Sequence, residues 1–202
     1  LAGKPHFTNA SQPVRGIADP GIALQTVHSI SEVDDILSDA PSADREVMRI
    51  KQYIDFAFIA AYAALSVAIA WALWRRARWL AFAITLFTLV AASFDTAENV
   101  AILRLLPIPV TGTTPAMLAA IRTPSLLKWS LISVVPLLFA AVFLTARRWY
   151  LRGLGGINLL AGALTCWGVA HNEWLPWGAL LLMPALLLSA ATLKLLTHEP
   201  AS

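Results

Sequence analysis

Asp95, Glu98 and Asn99 stand at i, i+3 and i+4, the spacing that gathers three polar groups on one face of a helix. Asp55 precedes them, Lys128 with Trp129 follows, and His171 and Glu173 come last. Carboxylates can act as general bases or oxygen ligands, and a lysine can neutralise a carboxylate or clamp a phosphate. Three chemistries are open. One is a structural cluster, in which Lys128 meets one carboxylate and Arg104, Arg122 or Arg49 meets another. Another is a divalent-cation site drawing on Asp55, Asp95, Glu98 and His171, on a spacing far less specific than H-E-x-x-H. The last is a lipid-headgroup pocket built on Lys128 and Trp129, with Asp95 or Glu98 as base or metal ligand.

Other chemistries are excluded. Bis-histidine haem needs two histidines within spans, and only His171 is near one; His6, His28 and His198 are terminal. The single cysteine, Cys166, rules out an iron–sulfur site, a thiolate zinc cluster and a disulfide framework. There is no G-x-S-x-G, no Walker loop and no Rossmann glycine pattern. Gly153-Leu-Gly155-Gly156 follows no strand and is expected to be a flexible turn into a helix. No cofactor is expected, and a net charge of +3 does not call for nucleic acid.

The elements that must position these residues follow from composition. Of 202 residues, 58% are hydrophobic and 13% charged, against about 45–50% and about 25% in soluble domains. Charge-free windows run from Phe56 to Trp74, Trp79 to Phe94, Trp129 to Ala146, Gly153 to Asn172 and Trp174 to Leu193. About 20 helical residues cross a hydrocarbon core of about 30 Å. The second window reaches that length if its helix continues through Asp95, Glu98 and Asn99 until Pro107 and Pro109 stop it. The expected fold is an all-α integral membrane bundle with spans near 52–74, 79–106, 126–147, 154–172 and 177–196. Gly162, Gly168, Ala161 and Ala163 read as close-packing positions, while Pro136 and Pro184 fall in mid-span.

Lysine and arginine set the orientation. Arg75, Arg76 and Arg78 follow the first span, Arg147, Arg148 and Arg152 follow the third, and Lys194 closes the fifth. With five spans these ends share one side, cytoplasmic by the positive-inside rule, with the N-terminus outside and the C-terminus inside. Trp71, Trp74, Trp79 and Trp149 mark the inner interface, and Trp129, Trp174 and Trp177 the outer one. Asp95 lies 16 residues beyond Trp79, about 24 Å up the helix, so the polar residues gather at the outer level.

Residues 1–51 form an external segment with five Lys/Arg against seven Asp/Glu; the bundle, 52–202, has ten against five. Pro5, Pro13, Gly16, Pro20 and Gly21 mark the first twenty residues as loop or extended arm. Ser29-Ile-Ser-Glu32 reads as a capping box opening a short helix over 29–39, with Ile30, Val33, Ile36 and Leu37 on one face. A second helix starts at Ser42, with Asp44 and Glu46 in its first turn, and enters the first span. The segment is expected to be a small amphipathic cap on the bundle, being too short to fold alone. An external N-terminus also leads one to expect a preceding signal peptide or signal-anchor helix. Asn9-Ala-Ser11 matches a glycosylation sequon and carries no weight.

The run ADREVMRIKQYIDFAFIAAYAAL from Ala43 to Leu65, with Phe94-Asp-Thr-Ala-Glu-Asn99, resembles an uncharacterised family of bacterial multipass membrane proteins. The residues that carry the likeness are Asp55, Phe56, Phe58 and Tyr62; Asp95, Glu98 and Asn99; and Lys128 with Trp129. The resemblance covers about residues 20–145 and leaves His171 and Glu173 unsupported. It implies a bacterial inner-membrane location and brings no activity. The leading functional expectation is an accessory or scaffolding subunit whose partners are membrane lipids and other membrane subunits. The alternatives are an enzyme acting on a lipid or isoprenoid headgroup at the outer leaflet through Asp95, Glu98, Lys128 and His171, and a small transporter.

Overall fold

A computed structural model describes residues 7–8 and 14–192. His6, His198, Lys194, Pro5, Pro13, the sequon at 9–11 and the end of the span expected to reach 196 lie outside them. Among the described residues seven helices follow in order: α1 Pro20–Gln25, α2 Ile30–Leu37, α3 Ala43–Leu73, α4 Arg78–Leu105, α5 Pro115–Leu144, α6 Trp149–Ala170 and α7 Leu175–Ala191. Short 3-10 turns at Val110–Gly112 and Asn172–Trp174 precede α5 and α7. Among the described residues there is no strand, only an isolated bridge between Val14 and Ile17. Among the described residues five helices are long and apolar enough to cross a membrane: α3, α4, α5, α6 and the stretch Asn172–Ala191.

Local chemistry explains the helix ends. Asp19 caps α1, its carboxylate accepting the Ile22 N–H at 3.0 Å, and Pro20 occupies the first helical position. The first helix thus begins inside the stretch read from sequence as loop or arm. Ser29 caps α2 by accepting the Glu32 N–H at 3.3 Å. Glu32 reaches back, but to the N–H of His28 at 2.9 Å, one residue before the cap. α3 runs unbroken from Ala43 to Leu73, and α4 ends at Leu105, two residues before Pro107.

The span expected near 126–147 falls on a longer helix that begins at Pro115, where proline is preorganised for a first turn. One expectation is corrected. The glycine run 153–156 is not a turn but lies inside α6. Gly155 is there for packing: a Cβ would come within 2.9 Å of the Leu144 backbone nitrogen, whereas Gly153 and Gly156 have nothing within 4 Å.

The chain divides into two compact units, residues 1–59 with 93–127, and residues 60–92 with 128–202. In the first, the N-terminal helices share one apolar core with helix ends: Leu24, Val27, Val33, Ile36 and Leu37 pack with Met48 of α3, Ile102 and Leu105 of α4, and Leu118 and Ile121 of α5. In the second, Ile69 and Leu73 of α3, Ile84 of α4, Phe139 and Phe143 of α5, and Leu151 and Leu154 of α6 form the core. Helices α6 and α7 approach through glycine. A Cβ on Gly168 would fall 2.6 Å from the Leu175 Cα, and one on Gly178 the same distance from the Thr165 Cα. Buried Asn158 ties the pair, donating to Ser189 Oγ at 3.1 Å.

Candidate functional site

Helix α3 presents a buried stripe at 3–4 residue spacing in the first unit. Arg45, Met48 and Gln52 are buried, Asp55 is half-buried and Ile59 is buried. Asp95, Glu98 and Asn99 occupy one face of α4, and all three are buried. The Asn99 side-chain amide donates to the Asp55 carboxylate at 2.7 Å and so fastens α4 to α3. The bond joins two of the residues singled out from sequence. Gln52 lies one turn before, its amide 3.3 Å from the Met48 sulfur.

The remaining four belong to the second unit. Lys128 is buried, with its ammonium 5.0 Å from the Trp129 ring centroid. His171 ends α6 on the surface and stacks on Trp167 at 4.1 Å, while Glu173 is exposed in the following turn. Among the described residues no three His, Cys, Asp or Glu side chains gather as a metal cage. The arginines expected to meet the carboxylates have other positions: Arg49 pairs with Glu46, Arg104 is exposed, and Arg122 borders a cavity beside His28. Arg49 is drawn to Glu46 because the two lie one helical turn apart.

Sequence reasoning missed Arg45. It is only 2% exposed, and no carboxylate among the described residues lies within ion-pair distance of it. Its Nε donates to the Ser38 carbonyl at 2.9 Å. Its Nη1 reaches the carbonyls of Leu105, Leu106 and Ile108 at 3.4, 3.0 and 2.8 Å. The Leu106 and Ile108 carbonyls lie just past the end of α4, where Pro107 and Pro109 supply no N–H groups, while the Leu105 carbonyl also accepts the Ile108 N–H at 2.9 Å. Nη2 is buried without a partner. Leaving such a group unsatisfied costs about 1–3 kcal/mol, more for a charged one. The available signal was its register: residues 45, 48, 52 and 55 follow the period of a single helix face.

Among the described residues of the first unit, cavities open at two places that bear on the site. One, of about 380 Å³, is bordered by Arg45, Glu46, Arg49, Pro41, Leu106 and Pro107. The other, of about 460 Å³, lies beside His28, Ser29, Ser31, Leu118 and Arg122. Partial burial, then the charges of Arg15 and Arg122, hold the His28 imidazole below its ordinary value. Asp39 is held below the usual carboxylate value because the N–H groups of Val110 and Ala40 donate to it, at 2.8 and 2.9 Å. Comparison with family models, curated proteins and solved structures finds no match.

Proposed function

We propose that the chain is a non-catalytic multipass membrane protein, an accessory or scaffolding subunit contacting lipids and other membrane subunits. In this reading it resides in a bacterial inner membrane, with the N-terminus outside and the C-terminus inside. The observation that carries the non-catalytic role is the Asn99–Asp55 hydrogen bond. The Asp55 carboxylate is engaged in holding two helices together, and polar pairs of this kind act as glue in lipid. The exposed surface supports the rest. Leu180, Leu187 and Leu188 project from α7, and Trp71, Trp74, Trp79 and Trp149 stand exposed at helix ends, as interfacial indoles do.

Native mass spectrometry after extraction in mild detergent tests this directly. Co-purified membrane protein or retained lipid at defined stoichiometry is the expected result. A strictly monodisperse, lipid-free monomer would overturn it.

A further inference from the structure

We propose that the cavity between the start of α3 and the end of α4 binds a phosphate group. The first reason is the unfinished coordination of Arg45. Four carbonyls occupy its Nε and Nη1, while Nη2 is buried with no partner on a residue that borders the cavity. A desolvated guanidinium nitrogen of this kind is matched by an anionic oxygen, and the planar fork suits phosphate in particular.

The surroundings agree. Arg49, one turn further along α3, borders the same space and is paired only with Glu46. Among the residues lining the cavity, two guanidinium groups stand against one carboxylate, while Asp39 and Asp34 act on Arg45 from outside the lining. The cavity adjoins the first turn of α3, a 31-residue helix whose dipole favours negative charge there, with the Arg45 and Glu46 N–H groups already donating to Ser42. Its other walls include Pro41, Pro107 and Pro109, which offer no competing donor. About 380 Å³ leaves room for a substituent on the phosphate, so the ligand is a phosphate ester or inorganic phosphate. The inference stands apart from the scaffolding role; only the lipid source of the phosphate rests on membrane placement.

Thermal unfolding of the full chain tests it in two arms. In a neutral sugar detergent, inorganic phosphate is compared with chloride at equal ionic strength. In nanodiscs, phosphatidylglycerol mixed with phosphatidylcholine is compared with phosphatidylcholine alone. Arg49→Gln is the working variant, because it leaves the Arg45 contacts to α4 in place; Arg45→Lys keeps charge but loses the fork. Phosphate in the first arm should raise the melting temperature of the wild type if the source is soluble. A response confined to phosphatidylglycerol identifies a lipid headgroup. In either case Arg49→Gln should need roughly tenfold more ligand for the same shift, and Arg45→Lys should respond less than the wild type. The proposal is overturned if the wild type responds in neither arm, or if Arg49→Gln responds as the wild type does.

Discussion

Replacing Gly178 by alanine should push α6 and α7 apart. The added methyl carbon would lie 2.6 Å from the Thr165 Cα and 2.7 Å from its backbone nitrogen, where ordinary contact begins at 3.4 Å. The obstruction is backbone, so no rotamer change relieves it, and the helices must separate by about 0.8 Å at this point. A gap of 0.5–1 Å forfeits about a quarter to a half of each dispersion contact across it. The Asn158–Ser189 hydrogen bond, at 3.1 Å, would stretch toward the limit of a useful bond. Overpacking of this kind costs about 1–3 kcal/mol. Gly156→Ala is the matched control, since nothing lies within 4 Å of its new carbon and alanine favours a helix by about 0.8–1 kcal/mol. Unfolding free energies in mixed micelles of rising SDS fraction should place Gly178→Ala below the wild type and Gly156→Ala level with or above it. The reverse order would refute the close approach of these helices.

Asn99→Leu should destabilise the protein by about 1–2 kcal/mol in the same assay, because the Asp55 carboxylate loses its amide donor; an unchanged unfolding curve would count against the bond. Ser29→Ala should cost about 1 kcal/mol, read as faster amide exchange in the first turn of α2, where the Glu32 N–H loses its acceptor. The third concerns pH. The fold holds His28 below 6.5, so its contribution is fully present above that value and is lost as pH falls through the lower folded-state value. Melting temperatures across this range should fall more steeply for the wild type than for His28→Gln; parallel slopes would contradict the assignment.

Helix positions were legible wherever one physical rule acted alone. Pro107 and Pro109 end α4, Ser29 and Glu32 open α2, and the uninterrupted pattern after Ser42 makes α3 one helix. The glycines at 153–156 misled because their usual association is with turns, whereas Gly155 is needed for the approach of α6 to Leu144. α1 escaped because its proline was read as a breaker rather than as a first helical residue after the Asp19 cap. At the site, the shared face of Asp95, Glu98 and Asn99 could be counted from spacing, but the partner of Asn99 could not, since Asp55 is 44 residues away. Arg45 was hidden for a related reason. Its neighbours Asp44 and Glu46 suggest a solvated charged turn, and only the packing of α4 against that face shows the guanidinium to be buried.

That guanidinium also constrains the order of biosynthesis. Arg45 leaves the ribosome 60 to 63 residues ahead of the carbonyls of Leu105, Leu106 and Ile108 that receive it. Until they emerge, the arginine must stay hydrated, so the α3–α4 hairpin cannot close fully at this end while α4 is still being made. Nascent chains arrested before residue 105 should leave Arg45 open to a water-soluble arginine reagent, and chains arrested well beyond residue 108 should protect it. The last carbonyl of α4 and two in the turn just beyond it therefore serve as a completion signal, telling the first hairpin that its second helix is whole.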